Sequence, residues 1–426
     1  MVAPVIFSRA DHPISRTLID DDALKVLYRL RKFNHTAYLV GGGVRDLLLQ
    51  RHPKDFDIGT SAHPHEVKRI FRNCWIIGRR FRLAHVKFGQ KTIEVATFRK
   101  QVPIDDAPAK IPRSATDESK QSSEEPNATR QTIRRDNTFG TPEEDAFRRD
   151  FTINGLFYDI STFAIIDYVG GMQDLQSRLL RCIGNPNERF VEDPVRMLRA
   201  IAFATRLDFS IDTPIRDAIK NHHAEIKNAS PARLIEELYK LLRSGVSTKT
   251  FKGLSKSGLL QHIASEVEHK KSIRLWHSLE ALDVYRTRFT SAPESLTNAV
   301  LLGSLMTPVQ NLDLAPRRRD DRSVGLTLGD LPVARKDVDR LRRALVLQSR
   351  LTDPNLPARA VRGILTRPSF PDALTWLTIH GKNPDAVAHW QELAAKGPRP
   401  RPQKKQRRRR RRGPQATSTN EQKKSE

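Results

Sequence analysis

Asp55 and Asp57 stand two residues apart, a dozen or so positions beyond three consecutive glycines, Gly41, Gly42 and Gly43. Carboxylates at i and i+2 of a strand project from one face. There they can share two divalent ions roughly 3.5–4 Å apart, the arrangement used for in-line displacement at phosphorus. Glycines let a backbone turn with positive φ and approach phosphate oxygens closely. Together the two features suggest phosphoryl transfer to or from a nucleotide. Each alone is weak: the aspartates could be surface residues of a turn, and the glycines could serve only a sharp reversal. The stretch is not a P-loop, because the Gly-Lys-Ser/Thr ending is missing, and not a dinucleotide fingerprint, because the third spaced glycine is absent.

Two aspartates leave an ion under-coordinated, so a third carboxylate is expected. Glu94 lies between Ile93 and Val95 in an alternating run. It therefore points away from their apolar face, where an acidic side chain is costly unless paired or bound to metal. Arg148, Arg149, Asp150 and Asn154 fall within seven residues. The arginines supply forked donors for phosphates. Asp150 could accept from a ribose hydroxyl or act as a catalytic carboxylate. Arg45, opening the helix after the glycines, could bind phosphate or be a solvated helix charge. Asp193-Pro194-Val195-Arg196 opens a later helix, with Asp193 as N-cap and proline at N1. Asp193 and Arg196, three residues apart, could stand side by side and read a base edge, one accepting and one donating; Arg199 follows. His85 has no assigned role in such chemistry.

Elements must carry these residues. Helical spacing and acidic residues at the start predict a helix over 20–33, and a strand over 37–40 ends at the glycines. A helix over 44–50, a strand over 56–59 and a helix over 65–71 follow. Strands over 84–88 and 92–98 are joined at Gly89-Gln90, a plausible hairpin. From about 103 to 130 the chain is rich in Pro, Ser and charge, and reads as a mobile loop. Order returns at 147–159, and a strand over 164–169 precedes Gly170-Gly171. After Asp174 no strand pattern is seen, only helical stripes such as Leu198, Ile201, Ala202 and Thr205. The expected class is α+β: an N-terminal arm (1–35), a mixed-sheet head (36–170), a helical neck (171–245), a helical body (246–396) and a disordered basic tail (397–426).

The formal net charge is +25 over 426 residues, of which the segment from Gly397 to Glu426 supplies +10. Lys and Arg in such excess displace counterions from a polyanion, so nucleic acid is the expected partner. The tail holds six arginines in a row, Arg407 to Arg412, which repel one another and find no core. Two cysteines, Cys74 and Cys182, with no Cys/His cluster, exclude a disulfide framework and argue against structural zinc. No apolar run approaches the ~20 residues of a membrane span, and a cytoplasmic protein is expected.

Four motifs in order resemble the class II nucleotidyltransferases of the DNA polymerase β superfamily. They are Leu39 to Asp46 through Asp55-Phe56-Asp57, Ile93 to Arg99, Arg148 to Asn154, and Glu192 to Arg199. That superfamily holds the bacterial poly(A) polymerases and the CCA-adding tRNA nucleotidyltransferases. His12 to Arg16, Gly78 to Val86, Arg135 to Gly140 and the arginine-rich end resemble the bacterial poly(A) polymerase branch. Gln50 departs from the pattern, since many relatives have glycine there, which puts a local helix cap in question.

The resemblance implies an RNA 3′-adenylyltransferase using ATP and two Mg²⁺ ions, with Mn²⁺ as a substitute. The implied metal ligands are Asp55, Asp57 and Glu94, and Asp150 is the third aspartate often counted as catalytic. Gly41, Gly42, Arg45, Arg149, Asn154, Asp193, Arg196 and Arg199 would contact the nucleotide, the Asp193/Arg196 pair selecting its base. RNA 3′ ends, and protein partners of RNA decay, are the implied company. A CCA-adding enzyme and a catalytically dead RNA-binding protein are the alternatives.

Overall fold

The structure is a computed structural model and describes residues 3–78, 82–100, 138–312 and 326–396. The loop expected near 103–130 and the tail from 397 lie outside the described residues, as do Arg79 to Phe81 and Arg135 to Asn137.

The head is one eight-stranded mixed sheet in the order β1-β8-β7-β2-β3-β6-β5-β4. Its strands are β1 (Val5–Phe7), β2 (Ala37–Val40), β3 (Asp57–Thr60), β4 (Cys74–Ile77), β5 (Leu83–Phe88), β6 (Lys91–Thr97), β7 (Leu156–Asp159) and β8 (Ala164–Asp167). All neighbours pair antiparallel except β3 and β6, which run parallel. The expected hairpin is present: Phe88 faces Lys91 across Gly89, whose φ is +60°.

Side-chain alternation splits the sheet into two faces. Leu39, Ile58, Ile93, Val95 and Tyr158 join the main core, with Val26, Leu27 and Leu30 of helix Asp21–Lys32 and Val67 of helix Pro64–Ile70. Asp20 caps the first of these helices, its Oδ1 accepting from the N–H groups of Asp22 and Ala23. The other face carries only a small apolar cluster, Val40, Phe98, Ala146 and Phe157. Asp57 and Glu94 alternate with Ile58 and Val95, so they belong to this second, thinly covered face.

The helix after the glycines runs Gly42–Leu48, two residues earlier at each end than the sequence suggests. Only Gly41 makes the turn, with φ +70°. Gly42 and Gly43 lie in the first helical turn, and a Cβ at Gly43 would sit 3.3 Å from the Asp55 carbonyl oxygen. The smallness of Gly43 serves close packing more than reversal. At the other end Gln50 adopts φ +56°, a left-handed conformation that costs a residue with a Cβ. This is the position where the sequence left the cap in question. Gln50→Gly is expected to stabilise the protein by about 0.5–1 kcal/mol, read as a higher melting temperature with unchanged activity.

Beyond the head the chain is nearly all helix. The exception is a parallel pair of two-residue strands, β9 (Leu179–Leu180) and β10 (Ser210–Ile211), which corrects the expectation of no strand after Asp174. Two residues are too few to show alternation. The main core runs on through helices Val195–Leu207, Pro231–Leu242 and Ile273–Arg286 to Leu331 and Trp376. A separate cluster around Phe370, Leu377 and Trp390 closes the C-terminal helices. Among the described residues, no helix is long and apolar enough to cross a membrane.

Candidate active site

The parallel register pairs Ile58 with Val95, so one step back along both strands sets Asp57 beside Glu94. The antiparallel register on the far side of β6 places His85 opposite Glu94. Two acidic side chains thus lie on adjacent strands of one face, and Asp55 joins them from outside the sheet. Asp55 is not on the strand as the sequence reading supposed: β3 begins at Asp57. Its side chain is 71% exposed, with Lys54 Nζ at 3.6 Å.

Burial pushes the Asp57 carboxyl up to about 6, and the charges of Glu94 and Asp55 add to the effect while Arg149 opposes it. Three carboxylates are therefore electrostatically coupled. They do not converge: among the described residues no three His, Cys, Asp or Glu side chains form a ligand cluster. Glu94 leans instead toward His85, Oε1 to Nε2 3.7 Å. The donor set still fits Mg²⁺, a hard cation that takes carboxylate oxygens. Like charges on a thinly covered face are what a divalent ion relieves.

A second network stands behind the glycine turn. Asp150 Oδ1 accepts from the Phe151 N–H at 2.9 Å and from Asn154 Nδ2 at 3.0 Å. Its Oδ2 accepts from Arg199 Nε at 2.8 Å and lies 2.7 Å from Nη2. Burial alone would raise this carboxyl, but the Arg199 guanidinium and the hydrogen bonds bring it below the usual range. Asn154 Oδ1 in turn accepts from Arg45 Nη1, and Arg45 Nε and Nη2 donate to Asp46 Oδ1 at 2.8 and 2.7 Å. Arg45 is only 2% exposed, so it is not a solvated helix charge. Its bonds lock the glycine helix to the turn at Thr152–Asn154.

Arg149 donates to Asp145 Oδ2 at 2.9 Å and to the Asn154 carbonyl at 3.2 Å, and lies over the Phe157 ring. A Cβ at Gly41 would come within 2.9 Å of Arg149 Nη1. Gly41 is thus fixed twice, by its φ and by the guanidinium against it. A Cβ on Gly42 would meet Arg45 Nη2 at 3.5 Å, ordinary contact.

The expected Asp193/Arg196 pair is not formed. Asp193 lies between helices Pro186–Glu192 and Val195–Leu207 in extended conformation. Its Oδ1 accepts from the Val195 N–H at 3.3 Å, but the helix starts one residue later than expected and Pro194, not Asp193, stands at its N-cap. Arg233, from helix Pro231–Leu242, holds both oxygens of Asp193 at 3.1 and 3.0 Å. Arg196 turns the other way, donating through Nη1 to Glu192 Oε2 at 2.7 Å and to the Arg189 carbonyl at 2.9 Å.

Several residues of the site went unnoticed in the sequence: Asp145, Phe203, Arg206, Arg233 and Glu237. Three guanidiniums, Arg45, Arg199 and Arg206, lie over the Phe203 ring at 5.2, 5.0 and 5.2 Å. Arg199, Phe203 and Arg206 have the i, i+4, i+7 spacing of one helical face, and that signal was available.

Comparison with known proteins agrees with this geometry. Residues 37–181 match the poly A polymerase head domain, and residues 208–271 the probable RNA and SrmB-binding site of polymerase A. The chain is 49% identical to poly(A) polymerase I of Salmonella typhi over 60% of its own length and 52% of the relative's. The Haemophilus influenzae poly(A) polymerase I is 42% identical over 61% of this chain and 54% of the relative. The CCA-adding enzyme of Lactobacillus helveticus is 33% identical over 61% and 59%. The chain thus spans about half the length of the curated relatives it matches. Among solved structures, the Bacillus stearothermophilus CCA-adding enzyme in complex with CTP shares the fold, with TM-score 0.59 and 24% identity over 90% of this chain and 82% of that one. The glycine turn, the Asp57/Glu94 strand pair and Asp150 all fall within the segment that matches the poly A polymerase head domain, and over about 60% of its length the chain is more similar to bacterial poly(A) polymerases I than to the CCA-adding enzyme of Lactobacillus helveticus.

Proposed function

We propose that the protein is a template-independent polynucleotide adenylyltransferase that adds AMP from ATP to RNA 3′ ends. The observation that carries the reading is the Asp57/Glu94 pair on adjacent strands of one open face, with the exposed Asp55 close by in the chain, in a head whose relatives are poly(A) polymerases. Those three side chains would hold two Mg²⁺ ions, or Mn²⁺, which when bound activate the RNA 3′-hydroxyl and neutralise charge on the departing pyrophosphate. The chain's own residues do the rest. Gly41 leaves the strand end open for phosphates. Asp150 and Asn154, already fixed, present acceptors to a ribose. Asp193 accepts from an amino group on the base edge, and Arg196 donates to the ring nitrogen beside it. Arg149 and Arg199 supply positive charge.

The same proposal divides the chain into head (36–170), neck (171–245) and body (246–396), the later parts holding RNA. It also sets the protein in the cytoplasm, with partners of RNA decay at hand. Both cysteines are buried free thiols, in keeping with a reducing compartment.

The test is a product ladder on a generic RNA and on a truncated tRNA, with each nucleotide alone. Long A tracts on both RNAs, with CTP unused, are expected. Addition of C-C-A followed by arrest moves the assignment to the CCA-adding branch, whose solved members share this fold. No incorporation of any nucleotide leaves an RNA-binding protein.

A further inference from the structure

We infer that Arg233 and Glu237 are positioning residues for base selection, acting through Asp193 and Arg199. The inference rests on the nucleotidyl-transfer reading above. Arg233 and Glu237 are four residues apart on helix Pro231–Leu242, hence on one face. Arg233 places one nitrogen on each oxygen of Asp193, at 3.1 and 3.0 Å. One turn later Glu237 Oε1 lies 4.0 Å from Arg199 Nη1, and Arg199 grips Asp150 Oδ2 at 2.7 Å. Glu237 is itself held by Lys240 Nζ at 2.8 Å. A single helix face therefore sets both the base-reading carboxylate and the guanidinium behind the ribose-side carboxylate.

Energetics favour a positioning role for Arg233. Its side chain is 52% exposed and that of Asp193 23%, and pairs of this exposure contribute little to folding. A bidentate guanidinium nevertheless fixes the plane of a carboxylate. An ionised carboxylate accepts and cannot donate. Oδ1 already takes Arg233 and the Val195 N–H, whereas Oδ2 takes Arg233 alone. Oδ2 is thus the acceptor left for a base. Adenine and cytosine set an amino donor beside a ring-nitrogen acceptor, the order that Asp193 and Arg196 together require; guanine and uracil set a carbonyl beside a ring N–H, the reverse order. Freed from Arg233, Asp193 could rotate and lose the fixed acceptor direction that rejects the wrong edge.

The experiment measures incorporation of ATP and GTP by the full chain and by Arg233→Ala and Arg233→Lys, with melting temperatures alongside. The ATP:GTP ratio of kcat/KM is expected to fall about tenfold in Arg233→Ala. The fall should come through KM, with kcat for ATP within about threefold and the melting temperature kept. Arg233→Lys, which keeps the charge but loses the paired donors, should fall between. An unchanged ratio in either folded variant overturns the inference and leaves Arg233 as a tie between helices. A wild-type protein that incorporates no ATP rejects the transferase reading itself, a separate result.

Discussion

Asp57→Asn is expected to lower AMP incorporation about a thousandfold or more and, in the same protein, to raise the melting temperature measured without metal. The loss follows from removing a charged oxygen ligand where phosphoryl displacement needs one, several kcal/mol of barrier at ~1.4 kcal/mol per tenfold. The gain follows from the Asp57 carboxyl, which burial and its neighbours Glu94 and Asp55 push up to about 6. A carboxyl raised in the fold binds its proton more tightly folded than unfolded. Its contribution is most favourable below about pH 4 and is lost as pH rises through about 6. The loss is on the order of 3 kcal/mol at neutral pH. Asn cannot ionise, so the variant escapes most of it. Calorimetry in a chelator should show wild-type stability falling between pH 4 and pH 7 relative to the variant. Added Mg²⁺ should restore wild type and leave the variant unmoved. Parallel pH profiles for the two proteins would refute the coupling of these carboxylates.

Asp150→Ala is expected to cost about 3 kcal/mol of stability together with most of the activity. It deletes three hydrogen bonds, from Arg199 Nε, the Phe151 N–H and Asn154, together with the Arg199 ion pair. Arg199 would keep the Phe203 ring and the Glu237 carboxylate at 4.0 Å. The sign of the pH effect is opposite to that of Asp57. The Asp150 carboxyl is depressed in the fold, so its stabilisation is present above the ordinary carboxylate range near 4 and is lost as pH falls below it. Urea unfolding at pH 7 and at lower pH should show the wild-type advantage shrinking with acid. Asp150→Asn separates shape from charge: it keeps the size and loses the ion pair. If Asp150→Ala unfolds at the wild-type urea concentration, the bracket is not structural.

How far the sequence reached depends on the range of the contacts involved. β2, β5, β6 and β8 were legible because alternation and glycines are local signals. β1 has three residues, Val5 and Ile6 being exposed, and β4 has four, with Trp75 and Ile77 exposed. Edge strands lack a clean buried face, so no alternation announced them. At the site, Asp57 and Glu94 were legible from strand alternation, and their adjacency came only with the β3–β6 register. The Asp193/Arg196 pairing failed for a specific reason. Arg233 takes both oxygens of Asp193, and Glu192 takes the Arg196 guanidinium. Arg233 is 40 residues away from Asp193, and nothing in local spacing points to it.

β1 has a bearing on how the chain is made. It takes the edge position of the sheet by pairing Val5–Phe7 with Ile165–Asp167, so this strand waits for a partner far later in the chain. Until Asp167 has left the ribosome, β1 has no partner, and apolar residues of the unfinished head stay open to other chains. Contacts of such long sequence separation fold slowly. Removing the first seven residues would leave β8 as a bare edge with unpaired N–H and C=O groups, a template for association between copies. At three residues β1 is a shorter edge than β8 would be, which gives another chain less to pair with, at the end of the sheet away from Asp57 and Glu94.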